Sequence, residues 1–172
     1  MNVLFYIAAA VAVICTIMVI TNLNAVHALL YLIVSLLSLA LIFFLLGAPF
    51  AAALEVIVYA GAIMVLFVFV VMMLNPESQT IRSRKQLLRP WIWFGPAVPA
   101  TILLGELIYV LTAGSGTSPV NAGVGPHALS RTLFGPYVLG VELASILLMA
   151  GLVGAYHLAR PEAYMAPEGD DR

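Results

Sequence analysis

Apolar residues fall in five long runs along the chain, at about 3–20, 25–46, 50–74, 91–111 and 137–158. None alternates with period two. A helix rises 1.5 Å per residue, so ~20 apolar residues cross a hydrocarbon core of ~30 Å, and each run is long enough to do so. The pattern predicts an all-α integral membrane protein of five transmembrane helices in one membrane domain spanning residues 1–172. Thr21, Asn22, Leu23 and Asn24 break the first two runs with groups suited to a turn and to capping the next helix. Gly47, Ala48 and Pro49 break the second pair, and so short a link makes the second and third helices antiparallel neighbours. Residues 75–90 form a polar basic loop, 112–136 a Gly-, Ser- and Pro-rich loop, and 159–172 a polar tail.

Composition sharpens this picture. Of 172 residues, 63% are hydrophobic and 9% charged, against roughly 25% charged in soluble domains. A water-soluble fold and a single-span anchor are both excluded. The N-terminus, MNVLFYIAAAVAVIC, lacks the basic start of a secretory signal and reads as a retained first span. Cys15 is the only cysteine, so no disulfide forms within the chain. Basic residues cluster in one connector rather than along a helix face, so there is no nucleic-acid footprint. Lys and Arg in short loops stay on the cytoplasmic side. Arg82, Arg84, Lys85 and Arg89 therefore place the third loop inside, the N-terminus outside and the C-terminus, with Arg160 and Arg172, in the cytoplasm; Arg131 alone falls outside. Trp91 and Trp93 open the fourth run at the depth that indole rings favour.

Three carboxylates lie within spans: Glu55, Glu106 and Glu142. A charged carboxylate at mid-helix costs ~2.5 to 3.5 kcal/mol on insertion scales, so each is a candidate functional group. All three fall in the outer half under this topology, each ~6 to 9 Å from a helix end. For Glu106 and Glu142 two readings stay open: a part in proton transfer, or interfacial pairing with neighbouring chains.

The third span, ALEVIVYAGAIMVLFVFVVMMLN, sets Glu55 apart. At 100° per residue, Glu55, Tyr59, Ala62, Leu66 and Met73 share one narrow sector, joining a carboxyl and a phenol to an apolar stripe. The inner half of that face offers no polar group, so a proton path through it needs water or another subunit. Ala60, Gly61 and Ala62 form a small-residue patch at mid-membrane that lets another helix approach. A one-residue π-bulge there would rotate everything beyond it by about 100°. The sequence permits both a plain packing notch and such a switch.

Other chemistry is sparse. His27 and His157 sit at helix ends near the inner edge, positions more suited to interfacial polar groups than to matched haem ligands. His127 lies in the outer loop. No cysteine cluster, phosphate loop or nucleophilic triad is present, so no cofactor site is visible in this chain. Met64, Met72 and Met73 suit packing.

The stretch VHALLYLIVSLLSLALIFFLLGAPFAAALEVIVYAGAIMVLFVFVVMML, Val26 to Leu74, resembles the second and third helices of the J-subunit family of proton-pumping NADH-quinone oxidoreductase, respiratory complex I. EVIVYAGAIMVLFVFVVMML is its most specific part. The family's turn before the second helix often reads Asn-Pro-Val-His, where this chain has Asn24, Ala25, Val26 and His27. The resemblance implies a core membrane subunit of a bacterial inner-membrane enzyme that oxidises NADH, reduces quinone and pumps protons. It also implies membrane and peripheral partner subunits holding the FMN, the iron-sulfur clusters and the quinone. In that family the third helix carries a π-bulge whose relaxation is proposed to gate a water path; Glu55, Tyr59, Gly61, Met64 and Val65 match that motif. The competing classes are a subunit of a multi-subunit cation/proton antiporter, a purely structural helix-packing subunit, and a haem-bearing anchor.

Overall fold

A computed structural model describes residues 2–74, 90–113 and 124–159. The helices are α1 (Asn2–Thr21), α2 (Ala25–Leu45), α3 (Pro49–Leu54), a π-helical segment (Glu55–Ile63), α4 (Met64–Leu74), α5 (Pro90–Ala113), α6 (Pro126–Leu133) and α7 (Val138–Leu158). Five of the resulting rods are long and apolar enough to cross a membrane; α3, the π segment and α4 run end to end as the third. The basic connector with Arg82, Arg84, Lys85 and Arg89, and the tail with Arg160 and Arg172, lie outside the described residues, as do the side chains of Trp91 and Trp93.

Polar side chains close the α1–α2 turn. Asn22 Oδ1 accepts from the Asn24 N–H at 3.1 Å, and Asn24 Oδ1 accepts from the Val26 N–H at 3.1 Å as the N-cap of α2. These two amides organise the turn. At its other end α2 stops on Gly47, whose φ of +81° is one that a residue with a Cβ rarely adopts. The Gly47 N–H donates to Phe44 O and the Ala48 N–H to Phe43 O, the paired closure that satisfies the last carbonyls of a helix. Pro49 then begins α3, where its missing N–H costs nothing. The Val124 N–H donates to Gly47 O at 3.0 Å, tying the chain before α6 to this turn.

The described residues separate into two compact units, Met1–Gly125 and Pro126–Arg172. In the first, α2 is the central rod, with α1, α3, the π segment, α4 and α5 against it. Its core is small: Ala8, Val11 and Cys15 of α1, Val34 and Leu41 of α2, and Leu103 of α5, with Tyr31, Ile42 and Leu45 against them. Between α1 and α2 the hydrogen bonds come from hydroxyls. Ser38 Oγ, fully buried, donates to Ala8 O, Ser35 Oγ donates to Ala12 O at 3.2 Å, and Thr16 and Ser35 share a 2.9 Å hydrogen bond. Small and hydroxyl residues in this role are what membrane helices use, because lipid offers no hydrophobic drive for helices to associate.

Helix α5 runs through Pro96 and Pro99, a tolerance typical of membrane helices. Gly95 receives the Tyr31 phenol of α2, whose Oη occupies the space a Cβ would fill.

In the second unit, α6 lies within a stretch that the sequence pattern read as loop. Its signals are Pro126 at the first position and Ser130 and Thr132, whose hydroxyls donate back to His127 O and Ala128 O. No residue of α7 is buried. An apolar rod of this kind finds its surroundings in lipid or in other chains.

Candidate functional site

The third rod changes helical geometry at the acid. From Glu55 to Ile63 the backbone is π-helical, with α-helix on both sides. The Met64 N–H closes the segment by donating to Tyr59 O, five residues back. The site's geometry follows from this winding. At about 4.4 residues per turn, nine residues make close to two full turns, where an α-helix would make two and a half. Glu55 and Met64 are accordingly both buried.

Rewinding also separates groups that an α-helical face would hold together. Glu55 is buried, whereas Tyr59 is 50% exposed and Ala62, Leu66 and Met73 are open. Of the single face expected at 100° per residue for Glu55, Tyr59, Ala62, Leu66 and Met73, the last three turn away from Glu55 because the π segment winds more slowly, at about 80° per residue, whereas Tyr59 stays within about 40° of Glu55 and is half exposed. Met64, named only by resemblance, is the best-buried residue of the rod at 2% exposure, and Val65 beside it points outward. Gly61 lies on the exposed side, and a Cβ there would stand 3.2 Å from Val56 O, tighter than side chains normally pack. The small-residue patch Ala60, Gly61 and Ala62 is thus open to another chain rather than filled by α2.

The three acids differ in surroundings. Glu106 of α5 is buried, and neither carboxyl oxygen has a hydrogen-bond partner. Glu142 of α7 is exposed and belongs to the second unit. An apolar cleft of about 430 Å³ opens between α2, the start of the third rod and α5, lined by Val34, Leu41, Ala52, Val56, Leu103 and Leu107 among others.

Of the histidines, His27 is buried near the start of α2 with Nε2 unpartnered, while His157 is exposed near the end of α7. Among the described residues no three His, Cys, Asp or Glu side chains come together to hold a metal ion. Sequence reasoning missed the seating of Tyr31 on Gly95, for which the only signal was a glycine one position before Pro96.

The family model for NADH-ubiquinone/plastoquinone oxidoreductase chain 6 matches residues 15–158. NADH-quinone oxidoreductase subunit J of Pseudomonas aeruginosa is 57% identical over 164 residues, covering 92% of this chain and 96% of the relative. The subunit J of Escherichia coli K12 is 53% identical over 158 residues, covering 92% and 86%. That of Buchnera aphidicola from Baizongia pistaciae is 35% identical over 161 residues, covering 93% and 98%. With bacterial relatives and five apolar membrane-length helices, this is a multi-pass inner-membrane protein. The chain belongs to the NADH-ubiquinone/plastoquinone oxidoreductase chain 6 family, whose bacterial members matched here are the J subunits of NADH-quinone oxidoreductase.

Proposed function

We propose that this chain, a membrane-arm subunit of NADH-quinone oxidoreductase, helps couple quinone reduction to proton translocation by switching its third rod between π and α geometry. It contributes to a proton-translocating respiratory enzyme without a complete catalytic site of its own. The FMN, the iron-sulfur clusters and the quinone are held by partner subunits, membrane and peripheral. The rods form one membrane domain with the N-terminus outside and the basic connector 75–90 and the tail 159–172 in the cytoplasm, an orientation that the Lys and Arg distribution supports.

One observation carries the reading: a nine-residue π segment, Glu55–Ile63, lies between two α-helical stretches in the same rod. Removing one residue's worth of π winding turns everything beyond it by about 100°. Met64 would leave the buried side, Val65 and its neighbours would change the surface they present, and the dryness beside Glu55 would change with them. Such a rotation is a discrete two-state event, which long-range coupling needs. Glu55 carries or relays the proton, Tyr59 holds water or a hydrogen bond on the open side, and Gly61 keeps the notch into which an adjacent subunit's helix fits. Glu106 and Glu142 are secondary proton-path candidates.

The experiment compares Gly61→Leu and Gly61→Ala in assembled enzyme reconstituted into vesicles. Both side chains press on Val56 O, and the larger also fills the notch. Protons moved per NADH oxidised should fall in the order parent, alanine, leucine. If the leucine variant assembles and pumps at the parental rate, the switch reading is wrong and the rod is a structural packing element. Native-gel separation stained for NADH dehydrogenase activity and probed for this polypeptide reports assembly independently, and the polypeptide running apart from that activity would support a cation/proton antiporter instead.

A further inference from the structure

The deepest polar problem in the first unit lies away from the π segment, on α5. Glu106 is 6% exposed, and neither Oε1 nor Oε2 receives a hydrogen bond. Leu103, one turn before it, belongs to the hydrophobic core, and Leu103 and Leu107 both line the apolar cleft. Hydroxyls of α1, α2 and α5 are engaged elsewhere: Ser38 with Ala8 O, Ser35 with Ala12 O and Thr16, and Thr101 with Ala97 O and Val98 O. The titratable groups on α5 and on the helices beside it or across the cleft from it are Tyr109 of α5, Tyr6 and Cys15 of α1, His27 and Tyr31 of α2, and Glu55 and Tyr59 of the third rod, and none of them donates to this carboxyl. No lysine or arginine occurs anywhere in α1, α2, α3, the π segment, α4 or α5.

A buried carboxylate is stable only with a cation or several donors beside it, and the described residues supply Glu106 with neither. A neutral carboxylic acid has no such need. We propose that Glu106 is a proton-binding site of this chain, distinct from the π segment: a carboxylic acid seated neutral among α1, α2 and α5. It exchanges its proton only when water or a donor from outside the chain reaches it. Glu142 is exposed on α7, so its surroundings are set by lipid or by other chains rather than by this one. The inference stands on burial and on the absence of partners, and needs no change of helical geometry.

The test uses the fully assembled enzyme in native vesicles at neutral pH. Dicyclohexylcarbodiimide attaches to neutral carboxyl groups shielded from water, and mass spectrometry of the digested chain locates the adduct. An adduct on the peptide carrying Glu106, lost in Glu106→Gln, is the expected result. Infrared difference spectra between parent and Glu106→Gln should show the loss of a neutral acid carbonyl band. Loss of carboxylate bands instead, with no adduct, would mean that a partner's lysine or arginine pairs with Glu106, and would overturn the proposal. If Glu106→Gln does not assemble, the labelling of the parent chain decides between the same two outcomes. Gly61 variants leave this readout unchanged, so its failure and that of the switch reading are separable.

Discussion

Glu55 and Met64 stand nine residues apart on one helical rod and are both withdrawn from solvent, to 9% and 2% exposure. Nine residues of α-helix would set them on opposite sides. The π segment between them cancels that half turn, so the acid and the thioether lie on the buried side while Tyr59 and Val65 remain open. An apolar, polarizable methionine on the same side keeps the acid's surroundings dry and adaptable.

The acid itself should matter through its proton. Glu55→Gln keeps shape and hydrogen-bonding capacity while removing the titration. We expect assembly at the parental level, with protons moved per NADH clearly reduced in vesicles scored with a pH-sensitive dye. Undiminished stoichiometry would make Glu55 structural.

Burial predicts different costs at adjacent positions. Met64→Ala empties a filled site and should destabilise the rod's packing by ~2 kcal/mol or more, at the low end of the range for buried truncations. Val65→Ala, on the open side, should cost the isolated subunit little and act only through partner contacts. Detergent-denaturation midpoints of the solubilised subunit would check the pair, and equal shifts would argue against the π winding.

Ser38 should hold α1 to α2. Its hydroxyl is fully buried and donates to Ala8 O, so Ser38→Ala should cost on the order of 0.5 to 1 kcal/mol, the usual worth of an interhelical hydrogen bond in lipid. Ser38→Leu should cost more, since no space remains for it. Oxidative cross-linking of cysteines placed at exposed positions on α1 and α2 would report the separation.

Two glycines of α5 should respond unequally to alanine. Gly95→Ala puts a Cβ where the Tyr31 phenol sits, and the ring must move, loosening α2 against α5; Gly105→Ala meets open space and should be neutral or slightly stabilising. Thermal unfolding followed by tyrosine fluorescence in detergent would separate them, with Tyr31→Phe relieving part of the Gly95→Ala penalty.

By itself the sequence determined the membrane class, the five rods, the Asn24 cap and the Gly47–Pro49 break, since spans and turns depend on hydropathy and local backbone chemistry within a few residues. The residues EVIVYAGAIMVLFVFVVMML also carried the family. Hydropathy along an all-apolar stretch does not distinguish π from α winding, which differ by about one residue per turn; a π-bulge entered only through the family resemblance, and the structure alone gave its extent, Glu55–Ile63. The same cause turned Ala62, Leu66 and Met73 away from Glu55 and put Met64 on its side. Only packing could separate Glu106 from Glu142, two acids alike in sequence setting. One is buried on α5, and the other lies open on α7. Burial is a sum over neighbours distant in the chain, and no local pattern encodes it.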